Sequence, residues 1–124
     1  ALATTQFCVY NAEEIFLELD KMRERKINGL AIKISKLSDL KKISECQVLY
    51  LVANTRNEYK TLINPLLGRP ILIISDQSEA FDEKASIVMV TEPNRVGFRI
   101  NLSQTRHSGL ELSGQLLKLA KEVR

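Results

Sequence analysis

Apolar and polar positions change period several times along this chain, and each change marks an element. Gln6–Tyr10 reads as a short strand. Asn11 follows, with Glu14 three residues later, a capping-box spacing that predicts a helix start. Ile15, Phe16, Leu19 and Met22 then recur at helical spacing, predicting one apolar face of a helix that ends near Arg25. Leu30–Ser35 alternates apolar and polar side chains, as a half-buried strand does. Leu37, Leu40 and Ile43 predict a short helix with Ser38 near its cap. Cys46–Ala53 is almost continuously apolar, the pattern of a central strand covered on both faces. Thr55 with Glu58 forms a second capping box. Tyr59, Leu62, Ile63 and Leu66 continue as the stripe of a helix that Gly68 can end. Ile71–Ser75 is a further buried strand, and the polar Ser78–Ala85 reads as a loop. Ile87–Val90 and Arg95–Leu102 predict two strands, joined by Thr91-Glu92-Pro93-Asn94 closely enough for an antiparallel hairpin. Ser103–Arg124 reads as helical, broken near Gly109 and restarted with Ser113 as cap.

Strands that alternate with helices imply a parallel sheet with helices on both faces. The expected fold is therefore α/β, a three-layer α/β/α sandwich. Its mostly parallel sheet carries an antiparallel edge hairpin and is followed by a C-terminal helix. A length of 124 residues fits one domain spanning 1–124. No run approaches the roughly 18 apolar residues of a membrane span, so membrane insertion is not expected. There are 18 Lys+Arg against 15 Asp+Glu, a net +3 dispersed without a basic run, which argues against a nucleic-acid partner.

Catalytic chemistry finds little support. Ligands of open α/β sheets bind beyond the C-terminal strand ends, here Tyr10-Asn11, Ala53-Asn54 and Ser75-Asp76. No Gly-rich phosphate loop is present, so dinucleotide and P-loop readings fail. A phosphoacceptor receiver needs acidic residues where Asn11 and Asn54 stand. His107 is the single histidine and lies beside Arg106, a surface or packing position rather than a base. A hydrolase-like reading rests only on Ser75-Asp76. Two cysteines and one histidine are too few for a closed zinc site, and no metal or cofactor is expected. Cys8 and Cys46 fall on the first and third predicted strands. A 2-1-3 strand order makes those strands neighbours, which leaves a bridge and two buried reduced thiols both open.

The C-terminal third carries a longer pattern. Gly68-Arg69-Pro70-Ile71-Leu72-Ile73-Ile74-Ser75-Asp76 is followed by Phe81. Arg95-Val96, Phe98, Ile100-Asn101-Leu102, Arg106, Ser108-Gly109-Leu110, Ser113, Leu116-Leu117 and Leu119-Ala120 come after it. Together with Phe7-Cys8-Val9 and Glu45–Tyr50, this resembles the YfiR-like family of bacterial periplasmic proteins, from Phe7 onward. The resemblance implies a secreted, non-enzymatic regulator that represses a membrane diguanylate cyclase by binding its periplasmic region and so lowers cyclic-di-GMP output. It also implies a homodimer and a Cys8–Cys46 disulfide.

Several departures stand beside the likeness. The family's helix ahead of the first strand has no counterpart, so the domain is expected to lack it. Glu83-Lys84-Ala85-Ser86 replaces a Gly-Gly loop, and Gly97 and Arg99 replace a usual Arg and Glu. Phe81, Phe98, Arg99, Arg106 and Arg69 are the candidates for a partner- or ligand-binding face, since aromatic residues and Arg anchor interfaces. Asn101, Gly109 and Ser113 are expected to be structural. Asn101 would satisfy backbone groups where strand turns into helix, Gly109 would break the helix at positive φ, and Arg106 would pair with Asp76 or Glu111. The alternative function is an extracytoplasmic sensing domain, excised from a histidine kinase or cyclase, that binds a small molecule.

Overall fold

A computed structural model describes residues 4–21, 26–27, 30–38, 43–93, 95–110, 120 and 122–123. The chain divides into two compact units, Ala1–Leu51 and Val52–Arg124.

In the first unit, β1 (Thr4–Tyr10) is followed by α1 (Glu13–Asp20), β2 (Lys26–Ile27), β3 (Leu30–Leu37) and β4 (Val48–Leu51). A 3-10 turn, Ile43–Glu45, precedes β4. The strand order is β2-β3-β1-β4. β1 lies parallel to both β3 and β4, and β2 is antiparallel to β3. This is the 2-1-3 order expected for the first three long strands. β2 was invisible to pattern, because two residues show no period.

Burial follows the pleat. In β4, Leu49 and Leu51 are fully buried while Val48 and Tyr50 are half-buried. Cys8, Val9, Ile34, Ile43 and Cys46 complete the described core of this unit. Gln6 ties three segments together. Its backbone N–H donates to Gln47 Oε1 at 2.5 Å, and its side-chain Nε2 donates to Ser35 Oγ at 2.6 Å.

The start of α1 differs from the capping-box expectation. Asn11 takes a left-handed φ of 57°, a conformation Asn tolerates better than most residues. The cap position moves to Ala12, which makes no side-chain cap bond. Reversing the chain after β1 thus takes precedence over local capping. Ile15, Phe16 and Leu19 are half-buried, as their stripe predicted, and Met22 lies outside the described residues. The helix expected around Leu37, Leu40 and Ile43 is not formed at its start: Leu37 ends β3, paired with Tyr10. Ser38 is a bend, and residues 39–42 lie outside the described residues.

The second unit contains α2 (Arg56–Ile63), β5 (Leu72–Ser75), α3 (Ser78–Asp82), β6 (Ile87–Glu92), β7 (Arg95–Ile100), α4 (Leu102–His107) and β8 (Glu122–Val123). The order is β5-β6-β7-β8. β5 and β6 are parallel, β6 and β7 form the antiparallel hairpin, and β8 lies parallel to β7. The protein is thus α/β, mostly parallel, with an antiparallel hairpin followed by a helix.

Thr55 caps α2 as its spacing predicted, accepting the Glu58 N–H at 3.1 Å. Gly68 at φ +86° turns the chain after that helix, and the His107 ring lies 3.8 Å from where a Cβ would stand. Asn101 caps α4 by accepting the Gln104 N–H at 3.0 Å, and Gly109 at φ +78° ends it.

Two expectations fail here. Ser78–Ala85 is not a loop throughout: α3 buries Ala80 and Phe81, and five residues are too short to show a period. The chain end is not helical to Arg124: Glu122 and Val123 pair with Arg99 and Ile100 as β8. Edge pairing there overrides local helical pattern. Ser113 and its predicted restart lie outside the described residues.

Candidate functional site

The C-terminal ends of β1 and β3 open into a cleft of about 310 Å³, lined by Val9–Glu13 and Lys36–Ser38. The sequence had marked Tyr10-Asn11 as such a strand end. The parallel register places Val9 beside Lys36 and Tyr10 beside Leu37, so the two strands end together. The left-handed Asn11 then directs the chain around the cleft into α1.

Lys36 and Glu13 form an ion pair across this region, each with its side chain 55% exposed. The Lys36 ammonium also lies 5.9 Å from the centre of the Phe16 ring. An exposed pair of this kind contributes at most about 1 kcal/mol, so its consequence is positional. It holds the lysine toward α1 and leaves a cleft with charges of both signs.

Cys8 and Cys46 are joined by a disulfide, with a Cα–Cα distance of 6.0 Å. Both are almost fully buried, at 2% and 3%. The bridge fastens the middle of β1 to the turn that leads into β4.

In the second unit, Ser75 does not serve as an accessible nucleophile. It is fully buried, with its Oγ 2.8 Å from the Tyr59 hydroxyl. Tyr59 also donates to Gln77 Oε1 at 3.1 Å. This network joins α2 to the end of β5 and the residue before α3. Sequence reading missed it by assigning Tyr59 only to an apolar stripe. Its one signal was a hydroxyl-bearing ring within that stripe, since a buried Tyr O–H needs a partner. Arg56 and Asp82 link α2 to α3 at 2.8 Å on the surface.

The predicted binding residues separate by burial. Phe81 is 2% exposed and packs within α3, so it offers no face to a partner. Phe98 and Arg99 are half-buried on β7, opposite Met89 and Val88. Arg69 and Arg106 are exposed. The Gly68–His107 approach brings the segments that carry these two arginines together. Glu111, one carboxylate suggested for Arg106, lies outside the described residues. Among the described residues no group of three or more His, Cys, Asp or Glu is placed to hold a metal ion. No described helix is long and apolar enough to cross a membrane.

Comparison with known proteins adds three findings. A family model described as YfiR/HmsC-like matches residues 1–121. No curated protein sequence matches the chain. Among solved structures, the ABC domain in complex with L-Trp from Streptococcus pneumonia is similar in fold, with a TM-score of 0.64 at 9% identity. The likeness covers 97% of this chain and 55% of that one, so the chain spans about half of that structure's length.

Proposed function

The chain belongs to the YfiR/HmsC-like family, and from that premise we propose that it is a periplasmic module that represses a membrane diguanylate cyclase by binding its periplasmic region. Members of this family are periplasmic regulators rather than enzymes. The family match over residues 1–121 is the observation that carries the reading. The Cys8–Cys46 disulfide supports it, because such bridges persist in oxidising compartments such as the periplasm. Ser75, the strand-end hydroxyl on which a hydrolase-like reading rested, is fully buried and bonded to Tyr59.

In this reading residues 1–124 act as one regulatory domain and pair as a homodimer. Phe98, Arg99, Arg69 and Arg106 supply partner contacts, and cyclic-di-GMP output falls when the cyclase is held. The test is co-purification of the full-length protein with membrane partners from its native host. The expected result is specific retention of a cyclase, and rising cyclic-di-GMP when the gene is deleted. Retention of no cyclase, with cyclic-di-GMP unchanged on deletion, would overturn the reading.

The cleft at the ends of β1 and β3 favours a second reading, a sensing domain that takes a small molecule. Gene context separates the two. A downstream membrane helix followed by a kinase or cyclase module on the same chain would select the sensing domain.

A further inference from the structure

We propose that the outward face of α1, Glu13–Asp20 with Lys21 at its end, is a docking surface for a basic helix of a partner protein, anchored on Leu17. The inference does not rest on the proposed function, whose contacts lie on other residues.

α1 carries the most large apolar side chains of the described α-helices and is the least buried of them. Four of its eight residues are of this kind: Ile15, Phe16, Leu17 and Leu19. α2 has the same length and three, Tyr59, Leu62 and Ile63, yet it buries Tyr59 and Ile63 completely. α1 buries none of its residues. Ile15, Phe16 and Leu19 are half-buried, and Leu17 is 51% exposed. A short helix is stabilised in a protein chiefly by packing its apolar face, so a helix left this open can still take a second neighbour. A lone exposed leucine is ordinary, but this one stands beside a stripe that is itself only half covered. The exposed positions Glu13, Glu14, Leu17, Glu18 and Lys21 recur at i, i+1, i+4, i+5 and i+8, one ridge along about 12 Å of helix. Such a ridge fits the groove of a second helix.

Charge selects the occupant. α1 holds four carboxylates, on Glu13, Glu14, Glu18 and Asp20, and no Lys or Arg, although the whole chain is +3. Lys36 and Lys21 pair with Glu13 and Glu18, but both pairs are exposed and exchange partners at little cost. A basic helix brings the opposite sign to Glu14 and Glu18 on either side of an apolar contact at Leu17. Helix pairs with an apolar seam and charged flanks choose their partners this way. A second copy would double the carboxylates over one short contact, and an anionic membrane surface would meet them with like charge.

The test uses two terminally blocked, alanine-based peptides of about 18 residues, long enough to be helical alone. Each carries one leucine stripe, flanked by lysines in the first and by glutamates in the second. The readout is the backbone amide shifts of the intact protein. The expected result is a shift centred on α1 with the Lys peptide, weakened by salt, and none with the Glu peptide. Leu17→Ala should weaken binding about fivefold, the effect of covering the open half of a leucine side chain. Glu14→Lys with Glu18→Lys should reverse the preference between the peptides. These positions are exposed, so Tm should stay nearly unchanged and a loss of binding is not a loss of fold. No shift at α1, equal shifts with both peptides, or unchanged binding by the Leu17→Ala protein would overturn the proposal. So would α1 shifts that grow with protein concentration alone, together with a doubled mass, since a second copy would then cover the face. Shifts produced by anionic vesicles and not by the Lys peptide would overturn it too. The peptides contain no cyclase sequence, so failure here leaves the co-purification result standing, and the reverse also holds.

Discussion

Reducing the Cys8–Cys46 bridge should remove a large share of the protein's stability. The two residues are 38 positions apart. On the chain-entropy model, closing a loop of that length restricts the unfolded chain by about 4 kcal/mol. Small domains are stable by about 5–15 kcal/mol, so this is a substantial fraction of the whole. At roughly 4 °C per kcal/mol for a chain of this size, Tm falls by about 15 °C. Cys8 and Cys46 are nearly fully buried, and two thiols occupy similar space with little repacking. The loss therefore arises mainly in the unfolded state, which becomes free to expand. The denaturant slope should rise accordingly. The assay is urea unfolding followed by circular dichroism, with and without reductant, with free thiols counted by mass. A midpoint change worth less than about 1 kcal/mol, with both thiols shown to be free, would refute the reasoning.

Other positions give distinct outcomes. Phe81→Ala should cost about 3–5 kcal/mol in chemical denaturation, as a core aromatic does, whereas a surface position would change stability by less than about 0.5 kcal/mol. Tyr59→Phe removes the hydroxyl that meets Ser75 and Gln77 and should cost about 1–2 kcal/mol in the same assay. Asn101→Ala removes the acceptor for the Gln104 N–H and should lower stability by about 1 kcal/mol, with faster amide exchange at the start of α4. Arg69→Ala with Arg106→Ala should leave Tm nearly unchanged and reduce retention of the membrane partner, measured by quantitative co-purification.

Local chemistry made much of this protein readable from its residues. The strands around Cys8, Leu49 and Ile73 were legible because buried strands require apolar side chains over several consecutive residues. The Thr55 and Asn101 caps were legible because a side-chain oxygen near orphan N–H groups acts within one helical turn. Gly109 was legible because positive φ strongly favours glycine. The family likeness was legible in the residues around Arg69, Asn101 and Gly109, together with the two cysteines.

Tertiary structure decided the rest, because the remaining features depend on segments distant in sequence. Asn11 serves the turn around the cleft instead of capping α1, and pairing with Tyr10 keeps Leu37 in a strand. Phe81 is withdrawn from the surface by a helix too short to show a period. Glu122 and Val123 become a strand only because Arg99 and Ile100 lie beside them. The disulfide, which spacing alone left open, follows from β1 and β4 lying side by side. The cleft belongs to this second class as well. A site formed where strands end is set by which strands become neighbours, and no single stretch of sequence carries that information.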